Sequence, residues 1–331
     1  MRGSGLLAVP ICPSKPQLAV GRGIFYAFDR RFKSCSVSLK DSMKSGYRIA
    51  AVSFLNTIPL LEGLADRTGV CLDVDLPSRL AGRLRDGSAD AALVPVAEVL
   101  AGRTGGIISP TGIACDGPVD SVILFAPGDP GELNRVSVDR GSRSSVALLR
   151  ILLTELHHVQ PEFVEVEPRP GQRLDPGEGI LIIGDRCFAQ MAALKGENPG
   201  NLIAHDLGAM WKNLTGLPFV FAAWAAAPDL VARRGLDAAC ELGDLLTAAR
   251  DRGLARLDEI AAEQAAAGRL GRGGEASPEA IAYYYRKSLR FVLDERARRG
   301  MERFRELARI HEVIPAGPAP LWLCRGAEHA D

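Results

Sequence analysis

The sequence contains no Lys/Arg block, no paired-cysteine motif and no long apolar run. Its 40 basic and 40 acidic residues cancel, and without a basic patch nucleic acid and anionic membrane surfaces are excluded as partners. No stretch approaches the ~20 consecutive apolar residues of a spanning helix. The seven cysteines (Cys12, Cys35, Cys71, Cys115, Cys187, Cys240 and Cys324) are scattered and odd in number, with no C-x-x-C. That speaks against a disulfide framework and a structural zinc site, and points to a reducing, cytoplasmic compartment. The five histidines show no H-x-x-E-H or H-x-x-x-H spacing, so no metal site is expected. His157-His158, late in an amphipathic segment, reads as surface.

What is present is an ordinary globular composition: 331 residues, 47% hydrophobic and 24% charged, enough for two domains. Residues 1–46 stand apart. Their apolar patch LLAVPIC is short and broken by Pro10, unlike a secretory signal. Pro10 and Ile11 are not the small residues that precede a lipoprotein cysteine at Cys12. Met43 lies four residues before the first strand-like segment, so it is the expected start, and the preceding part an over-extended reading frame or a disordered tail. That extension also does not supply an N-terminal helix-turn-helix of ~60 residues or more with basic character, which speaks against a transcriptional regulator.

The chain is organised around residues 47–60, YRIAAVSFLNTIPL. An apolar strand breaks into Ser53, Asn56 and Thr57, and Pro59 opens a segment of helical spacing. Such a junction places small hydrogen-bonding side chains at the carboxyl edge of a sheet, where open α/β folds bind ligands. The helix start adds unpaired N–H groups suited to a carboxylate or phosphate. The competing reading is that Asn56 and Thr57 merely cap the helix.

Strand and helix then alternate. Strands are expected at residues 70–76, 89–95, 107–114, 121–125, 135–138, 163–166, 179–183 and 218–225, with parallel β-α-β order as the simplest arrangement. A second strand-to-helix junction crowds Ser142, Arg143, Ser144 and Ser145 together. The last third reads as helical: residues 229–267 with a break at Gly253, then a helix opened by Ser277 and Pro278 that carries Ile281, Tyr285, Leu289, Val292 and Leu293 on one stripe. Gly300 reads as an interruption of it. The YYYR run reads as scaffold.

The segments SFLNTIPL, DLPSRLAGRLRDGSADAALVPVAEVL, GIACDGPVDSVILF, VDRGSRSSVALL, Gly184-Asp185 and DLGAMWKNLTGLPFVFAAWA follow in an order and spacing that resembles the MqnA family. Those proteins are chorismate dehydratases of the futalosine route to menaquinone. The resemblance covers roughly residues 48–308. Val96, Cys115 and Ser144 depart from the family's frequent serine, serine and threonine. The resemblance implies an α/β fold of type II periplasmic-binding-protein architecture, with two lobes, hinge crossovers and a helical C-terminal part. Crossovers are expected at residues 121–125 and 219–224, giving one lobe of 47–120 plus 223–331 and another of 121–222. Such lobes close around a ligand by hinge motion.

The implied reaction removes water from chorismate and makes its ring aromatic, so neither a metal nor a redox cofactor is expected. A small-molecule substrate is the one expected partner; the sequence leaves the oligomeric state open. The site must orient two carboxylates, stabilise an anion and release hydroxide. Asn56 and Ser53 are the candidate catalytic residues. Thr57, Pro95, Cys115, Asp116, Ser142, Arg143, Ser144, Ser145 and Asp185 are the candidate substrate-binding residues. Arg143 suits bidentate carboxylate binding, although a solvent-facing arginine in a first helical turn would look the same. Glu98, Asp116 and Asp185 lie near strand ends and read equally as bases or as turn and cap carboxylates. His205, beside Asp206, is the one histidine near such a position. The substrate's own enolpyruvyl carboxylate is the favoured proton acceptor. The alternative function is a non-catalytic solute-binding protein for a small carboxylate, which would use the same pocket without turnover.

Overall fold

The computed structural model describes residues 46–324 apart from 76, 140, 168, 170 and 197–200. Residues 1–45 of the expected N-terminal extension lie outside the described residues. Two sheets carry the fold. The first contains β1 (Tyr47–Ala51), β2 (Val70–Val74), β3 (Ala91–Pro95) and β4 (Ile107–Cys115). The second contains β5 (Val122–Ala126), β6 (Arg135–Asp139), β7 (Glu162–Val166), β8 (Glu178–Ile183) and β9 (Ile203–Asp206). The chain then returns to the first sheet with β10 (Phe219–Ala226) and β11 (Arg290–Val292). The strand orders are β11-β4-β10-β3-β1-β2 and β7-β6-β8-β5-β9.

Between the named strands, parallel pairing lies inside the two β-α-β cores, β1 with β2 and β3, and β6 with β7 and β8. β10 is antiparallel to β3 and β4, and β5 to β8 and β9. The reason is the direction of entry. β10 begins opposite Cys115, the end of β4, and β5 begins opposite Ile183, the end of β8. A strand arriving from the other lobe enters at the carboxyl edge facing that lobe and must run backwards. From Phe219 onward β10 belongs to the first sheet, so the return lies before this strand and not within it.

The helices are α1 (Pro77–Arg85), α2 (Val96–Leu100), α3 (Arg143–His157), α4 (Asp185–Gly196), α5 (Leu207–Thr215), α6 (Leu230–Arg234), α7 (Leu236–Ala255), α8 (Leu257–Ala266), α9 (Pro278–Tyr283) and α10 (Glu295–Ile310). The break expected at Gly253 comes three residues later, at Arg256 between α7 and α8, whereas the interruption expected at Gly300 does not occur. Gly253 lies inside α7 and Gly300 inside α10, where added Cβ atoms would come within 1.8 Å of Pro59 O and 2.0 Å of Pro218 O. These glycines let helices approach neighbouring backbone closely; they do not end them. The long stripe expected from Ile281 to Leu293 is also divided: α9 widens into a π-helical turn at Tyr284–Ser288, and β11 follows as an edge strand.

One continuous core runs through both lobes, with Trp211, Phe219 and Phe304 in edge-to-face contact at centroid distances of 5.3 and 4.9 Å to Phe219. The tail passes back over the first sheet: Leu321 O accepts from Ile107 N at 2.7 Å and Leu323 N donates to Ile107 O at 2.9 Å. There Cys240 and Cys324 form a disulfide with Cα atoms 5.5 Å apart. The expectation against a disulfide framework did not foresee this one bridge. A single bridge spanning 84 residues leaves no local spacing signature. Cys115 and Cys187 are free, buried thiols.

Candidate functional site between the lobes

β1 ends at Ala51, and the chain turns through Ser53 and Phe54 into a 3-10 helix, Leu55–Leu61. Pro59 sits inside this tight helix, which accounts for the departure from the α-helical expectation. Asn56 falls on its first turn and faces a cavity of about 90 Å³ between the sheets. The opposite wall is the start of α3: Ser142, Arg143, Ser144 and Ser145 all line it, as does Pro95 at the end of β3. Phe54, Leu93, Ile113 and Phe221 supply its apolar surface. Two motifs some ninety residues apart in sequence thus share one enclosure.

The hydrogen bonding separates ligand candidates from structural groups. No side chain caps the 3-10 helix from its own N-cap position, Phe54. The cap comes instead from the other lobe: Leu55 N donates to Asp185 Oδ1 at 2.9 Å. Asn56 Oδ1 accepts from Thr57 Oγ1 at 3.2 Å, and Asn56 is free of the capping role that competed with ligand binding. Thr57 is wholly buried behind it. Ser142 Oγ is buried and has no hydrogen-bond partner among the described residues. A buried hydroxyl left unmatched at a cavity wall is an available donor and acceptor. Ser144 Oγ, in contrast, accepts from Ala97 N at 3.1 Å.

Arg143 stands on the rim shared with a second groove of about 290 Å³, lined by Glu98, Arg103, Arg150 and Ile314 among others. Its Nη1 is bonded to Glu98 Oε1, and Arg103 Nη1 donates to the same carboxylate at 3.3 and 3.4 Å. Glu98 is 1% exposed, yet two guanidiniums neutralise it. The Arg143 side chain is 46% exposed.

Other sequence candidates lie away from the cavity wall. Ser53 is exposed, and its carbonyl accepts from Arg269 Nη2 at 2.8 Å. Cys115 is buried against Gly208 at the end of β4, where burial pushes its thiol pKa far up. Asp116 accepts from Lys212, Arg290 at 3.1 Å and Arg296 at 2.8 Å. Burial raises its pKa, but these cations outweigh that and hold it below the ordinary value. His205 lies on β9, and burial lowers its pKa. It does not line the cavity. Among the described residues no group of three or more His, Cys, Asp or Glu is placed to hold a metal ion. Sequence reasoning missed Ser121, a cavity residue whose Oγ accepts from Tyr284 Oη at 2.8 Å. The only available signal was Tyr284 in the YYYR run, which folds as a π-helical turn, a form enriched at functional sites.

A family model described as menaquinone biosynthesis matches residues 47–309, spanning both lobes and the cavity between them. The chain belongs to this family. A relative within reach of direct alignment is the chorismate dehydratase of Thermus thermophilus, 36% identical over 213 residues, covering 61% of this chain and 72% of that protein. Among solved structures, the fold is similar to the periplasmic aliphatic sulphonate binding protein SsuA of Escherichia coli. The TM-score is 0.52 at 16% identity, covering 83% of this chain and 95% of that one. An ABC transporter structure from Parabacteroides distasonis gives a TM-score of 0.54 at 14% identity, covering 86% and 100% of the two chains. These structural likenesses establish a periplasmic-binding-protein-like fold for the family member described here.

Proposed function

We propose that this protein is a hydro-lyase that converts chorismate to 3-[(1-carboxyvinyl)oxy]benzoate in menaquinone biosynthesis. The observation that carries the reading is the meeting of Asn56 with Ser142–Ser145 across one inter-lobe cavity, with the Ser142 hydroxyl buried and unpartnered. The proton lost is on the carbon bearing the enolpyruvyl ether, vinylogous to the ring carboxylate. That carboxylate, held by hydroxyl and N–H donors at the start of α3, takes up the developing negative charge. Arg143 turns from Glu98 to join these donors on the ring carboxylate, which leaves the enolpyruvyl carboxylate without a cation. The C–H electron pair enters the ring as the neighbouring ring hydroxyl departs, and Asn56 hydrogen-bonds that hydroxyl. Hydroxide combines with the released proton to give water.

Among the described residues no candidate carboxylate named above is well placed to receive the proton. Glu98 stays paired with Arg103 when Arg143 turns to the substrate, Asp116 is neutralised by three cations, and Asp185 is paired with Arg269. This supports the substrate's enolpyruvyl carboxylate as the base, made effective by its fixed position. The test is incubation of purified protein with chorismate, followed by mass spectrometry for a product lighter by one water. Saturable binding with no conversion would replace this reading with that of a carboxylate-binding protein.

A further inference from the structure

Beside the cavity, three distant segments converge on one buried ion pair. Asp185 opens α4 at the end of the second sheet's β8, and Arg269 follows α8; they are 6% and 9% exposed. Arg269 Nη2 donates both to Asp185 Oδ2 and to the carbonyl of Ser53. Asp185 Oδ1 accepts from Leu55 N. The two bonds to the first lobe therefore flank Phe54, whose ring lies against Gly184. A Cβ at Gly184, where φ is +64°, would come within 3.3 Å of that ring. Asn56 is the next residue after Leu55. The Arg269 segment itself spans both lobes: a Cβ on Gly274 would strike Ala192 of α4, while α8 packs on the 3-10 helix that carries Asn56.

We propose that Arg269 and Asp185 form a latch that holds the lobes closed and sets the position of Asn56. They are positioning residues; the Asp185 carboxylate is engaged by protein at both oxygens and is not a substrate ligand. Opening the lobes must separate Leu55 from Asp185 and expose a charge pair that closure keeps dry. The closed form is therefore favoured by contacts that only it makes. Removing them lowers the fraction of molecules competent to bind, and apparent affinity falls by that fraction. The role in turnover rests on the reading of the cavity as the dehydration site; the latch itself does not.

The test uses the full chain, the conservative variant Arg269→Lys, and the double variant Asp185→Leu/Arg269→Met, which leaves no uncompensated buried charge. Hydrogen exchange at the Leu55 amide and the radius of gyration from small-angle scattering report the latch without substrate. In the double variant Leu55 should exchange at least ten-fold faster and the particle should expand. The KM for chorismate should rise about ten-fold or more, and kcat should fall as Asn56 loses its placement. Arg269→Lys should fall between the two. A double variant with Leu55 exchange, radius, KM and kcat all unchanged overturns the proposal, as does a lowered melting temperature with those four intact. If the wild-type protein fails to dehydrate chorismate, the functional reading falls, and exchange and scattering decide the latch by themselves.

Discussion

The hydroxyl of Ser144, in the first turn of α3, accepts the backbone N–H of Ala97 in α2 at 3.1 Å, joining the two lobes at the cavity wall. Both groups are buried. Ser144→Ala leaves that N–H without a partner, and a buried unsatisfied donor costs about 1–3 kcal/mol. Urea unfolding should show a loss of that size, and Ser144→Thr, which keeps the hydroxyl, should recover most of it. Equal stability of the alanine and threonine variants would show that water replaces the bond.

Arg143 gives the opposite pattern. Its side chain is half exposed, and Arg103 still pairs Glu98 when it is removed. Exposed pairs contribute about 0–1 kcal/mol, so Arg143→Gln should leave stability within that range. The loss of a charge-assisted carboxylate contact, about 1.5–3 kcal/mol, should raise the KM for chorismate roughly ten- to a hundred-fold. A KM unchanged in Arg143→Gln returns this residue to a rim ion pair.

Much of this site was legible because its chemistry is local. SFLN and GSRSS each break an apolar pattern with small polar residues at a strand end, and the structure brings both to one cavity. What stayed hidden depends on partners far along the chain. Nothing near Asp185 in sequence indicates Arg269 or the Leu55 amide, 84 and 130 residues away. Glu98 read as a base or as a turn or cap carboxylate because the two arginines that allow its burial come from different elements. The antiparallel entry of β5 and β10 follows from lobe crossing, which no period of hydrophobicity encodes. β11 was lost to the helical stripe because Leu289 and Val292 fit either spacing.

Asp90 predicts the acid limb of stability. It is 1% exposed and accepts from the Arg48 amide, and its carboxylate pairs with Arg48, Arg233 and Arg234. Burial pulls its pKa up, but the Arg48 amide and the guanidiniums outweigh this and leave it below the ordinary carboxylate value. With the folded pKa below the unfolded value of about 3.9, the contribution is present above that pH. It is lost as pH falls through the folded value. Melting temperature followed from pH 6 downward should fall below about pH 4, and Asp90→Asn should be less stable at neutral pH with a shallower acid decline. An identical acid slope in both proteins would assign the limb to other carboxylates.

The most direct measurement compares wild type with Asn56→Ala on the same preparations, by single-turnover conversion of chorismate and by thermal melting. Asn56 lines the cavity and makes no capping bond to the backbone. The expected result is a melting temperature within a few degrees of wild type and a dehydration rate lower by about a hundred-fold or more, the scale seen when one positioned hydrogen-bond donor is removed. A variant that turns over chorismate at the wild-type rate, whatever its melting temperature, would contradict the placement of the reaction between Asn56 and the start of α3.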